Sequence, residues 1–238
     1  MRFGKSDKIQ FISTVEGLES IEECLPRPAK HFIPKWFKDI SINANSGSSV
    51  KICPSFPDYF SQGYIVPMWC DSKLVFNSEN DWKWQTTDVT FSWAHHGNGQ
   101  FVDHTDVSFN GIKGDFIFKA DCPWRIMTPP GWSVLQLPLF YHFNKEWSVL
   151  PGIIDTDIHH EINQQVLYHG NGKEVLIKSG DPFVLYIPFK RSNKMNHKIL
   201  YQKDKHKKLF NMQRIRLMKS NRPNGVYRKL QRKRDKKD

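Results

Sequence analysis

From Thr128 to Arg191 the chain repeats one pattern, a short apolar run closed by Pro, Gly or Asn. It reads Thr128-Pro129-Pro130-Gly131-Trp132, then an apolar stretch to Phe140 that Pro138 interrupts. Leu150-Pro151-Gly152-Ile153-Ile154-Asp155-Thr156-Asp157 follows, then a turn at Gly170-Asn171-Gly172, then Gly180-Asp181-Pro182-Phe183 through to Lys190-Arg191. Runs this short suit strands, and prolines this closely spaced interrupt any helix by removing a donor and clashing with the preceding turn. The constraint is severe: the stretch folds as several strands joined by turns.

The same reading extends upstream. Ile9 to Val15 alternates as a first strand, and Gly63 to Cys70 is an apolar strand carrying Pro67. Trp82 to Trp93 reads as paired strands, with Trp82 and Trp84 on one face. Asn110-Gly111 marks a hairpin, and Glu161–His169 with Lys173–Lys178 is expected to form another across Gly170-Asn171-Gly172. About ten strands without βαβ alternation predict a mainly β chain, an antiparallel β-sandwich or jelly-roll-like fold. One or two helical turns are expected over Leu18–Leu25 and a short turn or helix at Asp58-Tyr59-Phe60, and longer helix is expected in two places. Ala29 to Ile40 sets Phe32, Ile33, Trp36, Phe37 and Ile40 at i, i+3, i+4 spacing, and Gln202 to Ser220 forms a basic C-terminal helix. The expected division is a β domain over 1–191, with its N-terminal helical segment, and a basic helix and tail over 192–238.

Charge separates the same two parts. Residues 190–238 hold 19 Lys/Arg against three Asp/Glu, a net +16, whereas the other 189 residues net −5. Partner arguments based on charge therefore apply to the tail. Its cations include Lys207, Lys208, Arg214, Arg216, Arg228, Lys229, Arg232, Lys233 and Arg234. An arm of this kind suits a phosphate backbone, an anionic membrane or an acidic protein. No apolar run reaches the ~18 residues of a membrane-spanning helix, and Met1–Asp7 lacks the apolar core of a signal peptide. Cys24, Cys53, Cys70 and Cys122 show no Cys-x-x-Cys spacing, so free thiols in a reducing cytoplasm are expected.

Three polar or aromatic groupings can carry chemistry. His104-Thr105-Asp106 places imidazole and carboxylate on one strand face. With a distant His, His169 being the choice among those downstream, it makes a facial triad for Fe2+, as in a 2-oxoglutarate-type oxygenase. Against this, Lys178, the basic residue such a cosubstrate would need, stands across the Gly170-Asn171-Gly172 turn from His169. Asp155 and Asp157, close to His159-His160-Glu161, form a second polar cluster able to bind a cation or ligand, though Asp also caps turns routinely. Trp82 and Trp84, with Trp93, can form a sugar or small-ligand platform, while large aromatics more often build core.

Several motifs occurring in order carry a family resemblance. They are Cys53-Pro54 with Gly63-Tyr64-Ile65-Val66, Thr128-Pro129-Pro130-Gly131-Trp132, Pro151 to Asp157, and Gly180 to Arg191. In these the chain resembles an uncharacterised domain-of-unknown-function family of bacteria and tailed bacteriophages, and its phage-like members are similar also at Arg27-Pro28-Ala29-Lys30-His31-Phe32-Ile33-Pro34. The resemblance implies relatedness and a viral origin. It implies no reaction, and neither His104-Thr105-Asp106 nor His159-His160-Glu161 belongs to the shared pattern. The expectation is a phage-encoded, non-enzymatic binding or assembly protein without a cofactor, in the host cytoplasm or the virion, whose basic tail meets an anionic partner.

Overall fold

A computed structural model describes residues 8–44, 47–78, 81–88, 90–96, 108–109, 112–113, 117–169, 173–192, 196–218 and 229. Its chain divides into two units, Met1–Phe32 with Gln62–Asn193, and Ile33–Ser61 with Lys194–Asp238.

The first unit is built of antiparallel strands, and its central element is the nine-residue strand Pro182–Lys190. Phe183, Val184, Leu185, Tyr186 and Ile187 are the β-branched, aromatic and aliphatic residues that fill a pleated, buried surface. It lies in the middle of a five-stranded sheet ordered Gly152–Ile154, Trp132–Leu137, Pro182–Lys190, Tyr64–Pro67, Arg27–Pro28. Both its prolines sit where a missing donor costs little. Pro182 is its first residue, and Pro188 lies beyond Tyr186, the last residue paired with Tyr64–Pro67, so the strand is an edge on that side. The strand expected from Val134 to Phe143, broken at Pro138, is Trp132–Leu137, which ends at the residue before that proline and is followed by a 3-10 turn, Phe140–His142.

A four-stranded sheet, Trp147–Val149, Asn163–Tyr168, Ile117–Asp121 and Trp93–His95, faces the first. Trp147 packs on Phe183 with ring centroids 4.9 Å apart, and Tyr186 bonds to Gln164 across the core. A three-stranded sheet, Val175–Ile177, Ser72–Ser78 and Asp81–Thr86, packs on the second through Phe76 and Phe118, edge to face at 5.3 Å. Gln10–Ser13 pairs with Trp124–Met127. The mainly β, antiparallel sandwich expected from the sequence is the architecture present.

Polar atoms tie the facing sheets together. Gln164 Nε2 donates to Tyr186 Oη (2.9 Å), Tyr186 Oη donates to Gln136 Oε1 (3.0 Å), and Gln136 Nε2 donates to the Leu150 carbonyl (2.9 Å). Tyr186 and Gln164 have no exposed surface. Burial holds the Tyr186 phenol well above its ordinary pKa, so it stays a neutral donor. Such a network fixes how one sheet registers on the other.

Two pairings differ from the sequence reading. Asn163–Tyr168 and Val175–Ile177 do not form a hairpin. The first pairs with Ile117–Asp121 and Trp147–Val149, the second with Ser72–Ser78. Ile117–Asp121 takes one edge of Asn163–Tyr168, and Trp147–Val149 takes the Val166–Tyr168 end of the other, the end at which a hairpin partner would have to start pairing. Likewise Asp81–Thr86 pairs back onto Ser72–Ser78, while Trp93–His95 joins Ile117–Asp121. The Asn110-Gly111 hairpin is seen in its arms, Phe109 opposite Ile112 and Ser108 opposite Lys113.

Among its described residues the second unit holds the α-helices Lys35–Asp39, Ser55–Tyr59 and Asp204–Met218. The expected helix from Ala29 to Ile40 is divided at Pro34 into a 3-10 turn, Ala29–Phe32, and the α-helix Lys35–Asp39. Phe37 packs against Phe60 at 4.8 Å and stacks on Phe56 at 6.1 Å. Lys51 Nζ donates to the carbonyls of Lys38 (2.7 Å) and Ile40 (3.0 Å), which a helix end leaves open.

Candidate functional site

Three of the sequence motifs, Thr128–Trp132, Pro151–Asp157 and Gly180–Arg191, converge in space. Trp132–Leu137 pairs with Gly152–Ile154 on one side and with Pro182–Lys190 on the other, which delivers Gly131, the Asp155–Asp157 turn and Arg191 to one end of the sheet. Arg191 then grips Asp157 in a two-pronged contact, Nη1 to Oδ1 at 2.8 Å and Nη2 to Oδ2 at 2.6 Å. Asp157 Oδ2 also accepts the Gly131 amide at 2.7 Å. Gly131 has φ +82°, the left-handed conformation that glycine adopts without strain, and this turn aims its N–H at the carboxylate. Arg191 Nη1 donates further to the Trp132 carbonyl (2.9 Å) and Ser133 Oγ (3.0 Å), and Ser133 Oγ donates to Asp155 Oδ1 (2.6 Å). Thr128 and Thr156 hydroxyls meet at 2.7 Å beneath the turn, and Thr156 is fully buried.

The electrostatics match this closure. The Asp157 side chain is only 7% exposed. The Arg191 guanidinium holds its carboxyl well below the usual range, at about 2. Arg191 is pushed above its ordinary value by the same hydrogen bond. Every strong charge here is matched by a counter-charge or a hydrogen bond, which is what a clamp joining three chain segments requires. Asp155 and Asp157, flagged in the sequence for ligand binding, are thus both engaged within the protein, Asp155 by Ser133 and Arg191 and Asp157 by Gly131 and Arg191.

Beside the clamp lies a cleft of about 340 Å³ lined by Lys8, Ile9, Tyr64, Pro129, Trp132 and Pro188, within the size range of small-molecule sites. Lys190 Nζ stands 5.3 Å from the Trp132 ring centre on the same strand end. A second, more open recess of about 450 Å³ is bordered by His142, Glu146, Trp147 and Asp181. Burial lowers the pKa of His142, so its ring is mainly neutral at pH 7.

The other sequence candidates fall in separate places. His104 and Asp106 lie outside the described residues. His169 Nε2 lies 2.8 Å from Ser148 Oγ, and burial lowers its pKa. His160 Nδ1 is 2.9 Å from the Thr156 carbonyl, on the clamp's inner side. Among the described residues no three His, Cys, Asp or Glu side chains gather as a metal site. Trp93 is buried and donates Nε1 to Ser72 Oγ (2.6 Å). Trp82 is half-buried against Phe118 at 5.5 Å, and Trp84 is half-buried on the same strand face against the core.

In the tail, the helix Asp204–Met218 keeps Lys207, Lys208 and Arg214 exposed. Lys229 is exposed as well. Arg216 falls within the helix, though its side chain, like Arg228, Arg232, Lys233 and Arg234, lies outside what is described. Ile199 and Tyr201, ahead of the helix, are 91% and 87% exposed. No described helix is long and apolar enough to cross a membrane.

Sequence reasoning missed the partners of Asp157. Arg191 closes a motif 34 residues downstream, and nothing in local spacing links the two. The buried Gln136–Tyr186–Gln164 chain was also missed, since a glutamine inside a strand carries no signal of direction.

No family model matches the chain, and no curated protein matches it. Among solved structures it is similar to a mutant dUTPase from phage phi11 of S. aureus, at 10% identity and a TM-score of 0.37 over 83% of this chain and 97% of that one.

Proposed function

We propose that the protein is a non-enzymatic binding or assembly module whose basic C-terminal segment contacts an anionic partner. The observation that carries this reading is the helix Asp204–Met218, with Lys205, Lys207, Lys208 and Arg214 exposed, within a segment of net +16, on a chain whose remaining residues net −5. Cations concentrated in one segment and exposed along a helix raise the local potential and speed encounter with an anion. The reading is supported also by the Arg191 clamp, where the prominent polar residues of the β unit are spent on each other. The resemblance to an uncharacterised family of bacteria and tailed phages suits a phage-encoded protein acting in the host cytoplasm or the virion.

Retention on immobilised heparin tests it. The full chain should elute only at raised salt, and a chain ending at Gln202 should pass through. Equal retention of both would remove the tail from the mechanism.

A further inference from the structure

We infer that the anionic partner is double-stranded DNA, and that the helix Asp204–Met218 lies in its major groove. This rests on the reading of the tail as an anion-binding arm and assigns the anion.

The inference comes from how charge is arranged around the helix axis. Each residue turns the helix by about 100°, so Lys205 and Lys208 share one flank while Lys207 and Arg214 share the opposite one. All four are exposed. The face between the flanks carries His206, Leu209, Phe210 and Gln213 at i, i+3, i+4, i+7 spacing. The remaining face carries Asp204 and Asn211. The helix therefore has two cationic sides and a mixed polar and apolar floor, with its acidic residue, Asp204, on the remaining face, where its carboxylate lies 3.4 Å from Lys207.

A flat anionic surface meets a helix on one side only. A membrane-surface helix separates a continuous apolar face from a charged one. Here His206 and Gln213 interrupt the apolar floor, and Met212 lies on the Lys205–Lys208 flank. A groove is different, since it presents a phosphate rail on each side and base edges beneath. The major groove of B-DNA is about 12 Å wide and admits a helix about 10–12 Å across with its side chains. Lys205 and Lys208 face one rail, Lys207 and Arg214 the other. Gln213 and His206 offer donors and acceptors to base edges, and Leu209 and Phe210 offer apolar contact to thymine methyls. The A-form major groove of RNA is too narrow for such entry.

The test uses the full chain and a full-length variant with Lys205→Gln, Lys207→Gln, Lys208→Gln and Arg214→Gln. Glutamine keeps helix propensity close to that of lysine, and circular dichroism checks that helix content is retained. Affinity is measured for a 20-base-pair DNA duplex, for an RNA duplex and for vesicles containing phosphatidylserine, across 50–200 mM salt. The full chain should prefer the DNA duplex. The variant should bind it at least tenfold more weakly, and its log–log salt slope should be shallower by about 3 to 4. An unchanged slope would overturn the placement of this helix. Preference for vesicles or RNA, with heparin retention intact, would overturn DNA as the partner and leave the anion-binding reading standing. Loss of heparin retention in the full chain would sink both.

Discussion

Arg191 and Asp157 are joined by two parallel hydrogen bonds, 2.8 and 2.6 Å long, between the end of the nine-residue strand Pro182–Lys190 and an acidic turn. Asp157 also receives the Gly131 amide, so one carboxylate locks three chain segments. Arg191→Lys keeps the charge but loses the fork, and it should lower the unfolding free energy. A double-mutant cycle with Asp157→Asn should show the two losses to be strongly non-additive. Denaturant melts of the four proteins measure both; additive losses would mean that the clamp does not act as a unit.

The same pair sets an acid limit. Asp157 ionises at about 2 in the folded chain, below the ordinary carboxylate value. Its contribution is therefore complete above pH 4 and is lost as pH falls through the folded value. Wild type should lose more stability between pH 4 and pH 2 than Asp157→Asn does. Parallel curves over that interval would contradict the assignment.

Gly63 is held at φ +68°, and a Cβ there would sit 2.2 Å from the Tyr186 carbonyl oxygen. Backbone cannot yield that distance cheaply, so Gly63→Ala should cost more than about 3 kcal/mol or prevent folding. Gly17 has φ +83° with open space around it. Gly17→Ala should cost only the left-handed strain, about 1 kcal/mol. Thermal melts of the two variants separate steric overlap from strain; equal losses would show that the close approach is not made.

Tyr186 is a donor and an acceptor at full burial. Tyr186→Phe leaves Gln136 Oε1 and Gln164 Nε2 without that partner and should cost about 2 kcal/mol. Because the folded phenol resists ionisation, stability from keeping it neutral is full below pH 10 and declines as pH rises above it. Absorbance titration of the phenolate should show Tyr186 ionising after the other tyrosines, together with unfolding. Titration of all seven tyrosines before unfolding would contradict this.

The thiols give a direct probe of burial. Cys53 is exposed, while Cys24, Cys70 and Cys122 are buried. Burial pushes Cys70 and Cys122 up to about 11, so thiolate is scarce at neutral pH. A thiol reagent should modify one cysteine rapidly in the native protein and the others only on unfolding. Rapid modification of Cys122 would place it outside the core.

How much of this was legible in the sequence depended on whether the signal was local. The strand Pro182–Lys190, the break at Pro138, and the helix Asp204–Met218 all follow from composition and punctuation over a dozen residues. Strand pairing did not. Gly170-Asn171-Gly172 reads as a hairpin turn, yet the strands on either side enter different sheets, because the edges of Asn163–Tyr168 are taken by partners distant in sequence. Asp155 and Asp157 were visible as a polar cluster, but their role depends on Arg191, which only the sheet brings to them. The tail's charge was plain in the sequence; the placement of its cations on two flanks required the helix boundaries.

The measurement closest to the central claim is a paired one on the full chain and on a chain ending at Gln202, recording the equilibrium affinity for one heparin oligosaccharide and the unfolding transition of the β unit. The expected result is a large, salt-sensitive loss of affinity in the shortened chain with its β-unit transition preserved. Full affinity in the shortened chain, with that transition unchanged, would contradict the division of labour between sandwich and tail.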